Sequence, residues 1–129
     1  MKDVDFKVEV TEAINKLELQ GVLSKVLVNS NYNCLYQSEN GACCIIGQMM
    51  PKNLRLRADK ILKAGGDSSI RNLHGKWGFI KWSSKFTGLQ IGLMSSFQKL
   101  HDNGWDSSFK GVIASMRNLL ERELEERVL

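Results

Sequence analysis

Val4, Phe6, Val8 and Val10 alternate with Asp3, Asp5, Lys7 and Glu9. A strict period of two predicts a half-buried strand, apolar on one face and charged on the other. Thr11 then fits an N-cap. A helical run is expected from Glu12, with Ile14, Leu17, Leu23, Val26 and Leu27 as its apolar face to about residue 28. Gly21 weakens that helix or divides it. Residues 29–33 are turn-prone. Cys34 to Gln37, Ser38 to Gly41 and Ala42 to Ile46 read as a strand, a turn, and a second strand or a helix start, with Asn40-Gly41 as the turn dipeptide. Ala42 to Met50 is almost wholly apolar and is predicted to be buried, as strand or short helix.

After Pro51 the pattern changes. Leu54, Leu56, Ile61 and Leu62 stand among arginines and lysines, which predicts a short basic helix stopping at Gly65-Gly66. Asp67-Ser68-Ser69 can cap another short helix through Leu73. The stretch from His74 to Lys85 is irregular, aromatic and basic. Ser83 or Ser84 is expected to cap a helix with the face Phe86, Leu89, Leu93, Phe97 and Leu100, ended by Asp102-Asn103-Gly104. Trp105 marks the corner. Asp106 is expected to cap a last helix with the face Phe109, Val112, Ile113, Met116, Leu119, Leu120 and Leu124, carrying an outer Glu123–Arg127 pair. Two amphipathic helices joined by a short loop predict an antiparallel hairpin. The expected fold is therefore mainly α (α+β): a helix-rich single domain over 1–129 with a small β element near the N-terminal half and a C-terminal helix hairpin.

Composition narrows the class. With 129 residues, 43% hydrophobic and 25% charged, the chain is long enough to bury a core and too apolar for wholesale disorder. The opening MKDVDFK mixes both signs of charge without an apolar run, so no secretory leader is expected. No stretch approaches the ~20 apolar residues of a membrane span, so no membrane partner is expected. Three cysteines, an odd number, point to a reducing compartment, and the expected location is the cytoplasm.

Charge is uneven. The net charge is +4, yet the segment 52–85 alone holds nine lysines and arginines against two aspartates. These cations interleave with Trp77, Phe79 and Trp82. Cationic side chains attract phosphates or acidic surfaces, and aromatic rings anchor interfaces or stack on bases. The expected partner-binding set is Arg55, Arg57, Lys60, Lys63, Lys76, Trp77, Phe79, Lys81 and Trp82. No helix-turn-helix, zinc-finger or RNA-recognition motif can be spelled from them.

Other chemistry is thin. Cys34, Cys43, Cys44, His74 and His101 match no zinc-ligand spacing, so no metal is expected. Cys44 with His101 and Asp102 offers a candidate nucleophile, base and orienter, against the simpler reading of a buried thiol and a helix-end histidine. No phosphate loop is present, and no cofactor is expected. Gly88, Gly92 and Ser96 recur every four residues, a spacing that lets a helix approach closely. Packing against the last helix is expected there, and a homodimer is also admitted.

Two motifs carry a resemblance. Cys44-Ile-Ile-Gly47-Gln-Met-Met-Pro51 resembles the C-x-x-G-x-x-x-P signature of small bacteriophage and bacterial proteins of no assigned activity, in which a glycine-containing turn precedes the cysteine, as Asn40-Gly41 does here. Gln98-Lys-Leu-His101-Asp102 is similar to their later Q-x-x-H-D. Trp105-Asp106 and a helix over 107–127 follow in the same order. The likeness spans roughly 11–50 and 86–125, while the middle segment is longer and more basic. It implies a helical fold and a phage or mobile-element origin, with no particular activity. The functional expectation is a non-enzymatic accessory protein that inhibits or redirects host transcription, nuclease or defence machinery in the host cytoplasm. Its partner would be a host protein or protein–nucleic acid complex. The alternatives are direct nucleic-acid binding through the same face and a Cys44–His101 hydrolase or transferase.

Overall fold

A computed structural model of the chain describes residues 1–28, 31–38, 41–102 and 108–128, with the backbone alone at 25–28, 31–34 and 125–128. The architecture is mainly helical. The alternating N-terminal stretch is helix, not strand: α1 runs Asp3–Gln20. Val4/Val8 and Phe6/Val10 are each i, i+4 pairs, so the same residues satisfy a helix. Phe6 and Val10 continue into Ala13, Ile14 and Leu17, all buried, whereas Val4 and Val8 face outward at 66% and 56% exposure. Thr11 is therefore mid-helix. The helix stops at Gly21, whose N–H closes on the Leu17 carbonyl at 3.2 Å.

The helix expected to continue to residue 28 gives way to β1 (Lys25–Val28), which pairs antiparallel with β2 (Asn31–Cys34), Lys25 opposite Cys34. The strand expected over 4–10 is not found, and of the one expected over 34–37 only Cys34 is strand, at the end of β2. Beyond Cys34, pairing is reduced to a single bridge between Gln37 and Cys43.

The open choice over Ala42 to Met50 resolves as helix: α2 spans Ile45–Met49. Pro51 starts α3 (Lys52–Lys63), with the Leu54 and Arg55 N–H groups closing on its carbonyl. Leu54, Ala58 and Asp59 face inward, and Lys60 and Lys63 complement the dipole in the last turn. Two single turns follow, α4 (Ile70–Leu73) and α5 (Ile80–Ser83).

α6 (Gly88–Asp102) starts later than expected. Its cap is a reciprocal box: Gln90 N donates to Thr87 Oγ1 at 3.1 Å, and Thr87 N donates to Gln90 Oε1 at 3.0 Å. Gln90 Nε2 also donates to the Met1 carbonyl and to Asp3 Oδ1, tying the starts of α1 and α6 together. Ser83, one of the two residues expected to cap this helix, is buried and accepts from Gly75 N instead. Leu89, expected on the inner face, is 67% exposed, and Ile91, Met94 and Gln98 take the interior. α7 (Phe109–Val128) buries Val112, Ile113, Met116, Leu120 and Leu124. Ser108 Oγ accepts from Gly111 N at its start. The expected corner at 103–107, with Trp105 and Asp106, lies outside the described residues, as does the side chain of Arg127. α7 packs on both α1 and α6, and an Arg117–Glu18 ion pair of 3.1 Å ties it to α1. One apolar cluster runs from Phe6 in α1 to Leu124 in α7. No described helix is long and apolar enough to cross a membrane.

Candidate binding face

The two sequence motifs converge on one residue, Tyr36. Cys44 caps α2, its Sγ accepting from Gly47 N at 3.3 Å. Gly47 lies directly on Tyr36: a Cβ there would stand 2.1 Å from the Tyr36 carbonyl oxygen. Only a residue without a side chain lets α2 sit so low. From α6, Gln98 Oε1 accepts from Ile70 N at 2.8 Å, and its Nε2 donates to the Tyr36 hydroxyl at 2.7 Å. That hydroxyl donates to the Ser68 carbonyl. Tyr36 N and Gln37 N donate to the two oxygens of Asp59 at 2.8 and 3.0 Å. Burial raises the Asp59 pKa from its ordinary value, and the two N–H donors pull the other way. Both motifs thus serve architecture.

Gln20 makes a second brace. It accepts from Cys43 N at 2.8 Å and donates to the Cys43 carbonyl at 3.0 Å, in the pattern of a paired strand. Sequence reasoning singled out none of Tyr36, Asp59 or Gln20. Their polarity beside apolar runs was the only available signal.

Two of the three catalytic candidates, Cys44 and His101, are buried, and Asp102 is half-exposed. Cys44 and His101 are both 0% exposed. The Cys44 thiol is committed to the α2 cap, and His101 Nδ1 stands 3.8 Å from Asp102 Oδ1 at the end of α6. Neither group has solvent access for a substrate. Cys43 is also buried, and burial pushes its thiol pKa up, against the nearby Arg55 guanidinium. Among the described residues no three His, Cys, Asp or Glu side chains cluster as metal ligands. A cleft of about 240 Å³ beside Tyr36 is walled by Gly66, Asp67, Ser68, Ser69, Gln98 and Asp102 and offers no cation to an anionic ligand.

The small-residue row of α6 does not pack fully against α7. Gly88, Gly92 and Ser96 line an open groove of about 370 Å³, with Arg71 on one rim and Glu123 of α7 on the other.

The basic segment separates into three fates. Phe79 was expected to anchor a partner. It is 2% exposed and part of the core, so its ring is not available. Trp82 is half-buried, edge-on to Phe86 at 5.3 Å, and Phe86 in turn meets Phe6. Arg55 is drawn inward, donating to Cys43 Sγ at 3.1 Å and to the Gly47 carbonyl at 3.2 Å. These three leave the expected partner set.

The other six are exposed. Trp77 is 91% exposed, at the tip of the tight turn between α4 and α5. Gly75 and Gly78 flank it at φ 82° and 94°, values at which a side chain is strained. A Cβ on Gly78 would also meet the Arg57 guanidinium at 2.3 Å, so Arg57 of α3 packs against the Trp77 turn. Lys60 and Lys63 continue the exposed side of α3, and Lys76 and Lys81 flank the turn. Leu56 and Ile80 are half-exposed at 49% and 51%. Among the described residues, no ion pair engages Arg57, Lys60, Lys63, Lys76 or Lys81. Lys85, by contrast, is neutralised by Glu9 at 3.2 Å.

Comparison with family models, with curated proteins and with solved structures finds no match to this chain.

Proposed function

We propose that this chain is a small non-enzymatic binding protein of phage type that engages and modulates an acidic host macromolecule. Its docking surface is the face of Arg57, Lys60, Lys63, Lys76, Trp77 and Lys81. The observation that carries the reading is an indole left almost wholly in water on a turn that carries Lys76 and packs against Arg57. Large apolar side chains exposed beside a single-sign charge field mark interaction surfaces. The burial of Cys44 and His101 argues in the same direction, because it removes the one candidate constellation for catalysis.

The test is retention of partners from bacterial lysate on the tagged chain, with and without nuclease, compared with Trp77→Ala and with the charge reversal Lys60→Glu/Lys81→Glu. The expected result is a specific partner that all three substitutions weaken while the helical signal stays unchanged. Equal retention by the parent chain and both variants would overturn the reading.

A further inference from the structure

We infer that the acidic partner of this face is a single-stranded nucleic acid, with an unpaired base stacked on Trp77 and phosphates held by Arg57, Lys60, Lys63, Lys76 and Lys81. This rests on the reading of 52–85 as the docking surface and names its ligand class.

Three observations favour a nucleic-acid strand over an acidic protein. The first is composition. Four of the five cations are lysines, a residue depleted in protein–protein interface cores and favoured where phosphates are neutralised. The second is the apolar content. A protein hot spot needs a desolvated apolar centre with several anchors. Phe79 is in the core and Trp82 is half-buried, so one full aromatic ring remains, with only half-exposed Leu56 and Ile80 beside it. One indole is too little for a hot-spot cluster and sufficient for a single stacked base. The third is geometry. At 91% exposure the indole has open ring surface, and a stacking platform requires an uncovered ring.

Three of the cations follow one another along α3. Arg57, Lys60 and Lys63 extend over about 9 Å of helix at 1.5 Å per residue. The contact of Arg57 with Gly78 joins that row to the Trp77 turn. A strand following the row would bring a base to the indole. Duplex DNA keeps its bases paired and stacked on one another, so it can use the cations but not the ring.

The experiment is fluorescence anisotropy of a labelled 15-nucleotide oligouridylate with the full chain, over a series of salt concentrations. A duplex of the same length and polyglutamate serve as competitors. Binding of the single strand is expected, with log K falling against log salt at a slope of about −3.5 for five phosphates neutralised. Trp77→Ala is expected to weaken it about five- to 150-fold at unchanged slope. Lys60→Ala is expected to make the slope shallower by about 0.7. Duplex and polyglutamate should compete poorly. Absence of single-strand binding, an unaffected Trp77→Ala variant, or polyglutamate competing as well as the oligonucleotide would each overturn the inference. If the oligonucleotide fails while nuclease-resistant retention from lysate is still lost in Trp77→Ala, the ligand class is wrong and the docking surface stands. If Trp77→Ala changes neither measurement, both fall.

Discussion

Replacing Gly47 with alanine should reverse the usual sign of that substitution. In an unobstructed helix interior, Gly→Ala stabilises by about 0.8–1 kcal/mol. Here the added methyl would stand 2.1 Å from the Tyr36 carbonyl oxygen, 2.9 Å from its carbon and 3.1 Å from its Cα. All three are backbone atoms, so no rotamer change relieves the contact. Either α2 rises or the Tyr36 segment recedes, by about 1 Å to reach ordinary van der Waals separation. Overpacking of this kind costs about 1–3 kcal/mol. A shift of Tyr36 also stretches its bonds to Asp59, Ser68 and Gln98, for about 1–2 kcal/mol more. Against the helix-propensity gain, the net loss is about 1–4 kcal/mol. For a chain of this size that lowers Tm by roughly 4–15 °C. Urea unfolding followed by circular dichroism measures it. Gly88→Ala is the control, because a Cβ there meets nothing within 4 Å, and it should be neutral or slightly stabilising. A Gly47→Ala chain as stable as the parent would refute the close seating of α2 on Tyr36.

Trp77→Ala should change stability by less than about 0.5 kcal/mol, whereas Phe79→Ala, two residues away, should cost about 3–5 kcal/mol, because one ring is in water and the other in the core; equal losses in chemical denaturation would contradict that assignment. Burial raises the Asp59 pKa above 3.8, so its ionisation destabilises the fold: relative to Asp59→Asn, the parent chain should lose stability as pH rises from 3.8 through the raised folded-state value, read from urea midpoints across pH. A pH-independent difference between the two chains would be inconsistent with a shifted Asp59. Alkylation mapped by mass spectrometry should find Cys43 and Cys44 slow in the folded chain and fast in denaturant, and fast native labelling of Cys44 would reopen the catalytic reading.

The parts of the fold readable from sequence were those settled by local rules. The basic helix after Pro51 and the apolar face of α7 each repeat at three- and four-residue spacing between recognisable boundaries. The alternation of Val4 to Val10 points to a strand, yet four alternating apolar residues also make two i, i+4 pairs. Only the continuation through Ala13, Ile14 and Leu17 separates the two periods. The Thr87–Gln90 box was legible as T-x-x-Q but was passed over for the serines just before it. The Tyr36 network was out of reach: Tyr36 and Gln98 are 62 positions apart, and no local pattern joins them. The binding face was legible as charge but not as geometry. Composition placed three rings among the cations, and only packing separates the exposed Trp77 from Phe79 in the core and Trp82 against Phe86.

Because α2, α3, α6 and the start of α4 all fasten to Tyr36, none of them can open alone. Lifting α6 removes the acceptor of Ile70 N, and moving α3 takes the carboxylate from Tyr36 N and Gln37 N. These amide protons are therefore expected to exchange together, as one cooperative unit. The Trp77 turn is held by bonds between near neighbours, Lys76 N to the Leu73 carbonyl and Phe79 N and Ile80 N to the Lys76 carbonyl, with the Gly75 N–Ser83 Oγ bond and the Arg57 contact beside them. Its amides are expected to exchange by local opening. The frame around Tyr36 is thus joined by bonds between distant parts of the chain, whereas the Trp77 turn closes on near neighbours in sequence and is seated in the core by Phe79.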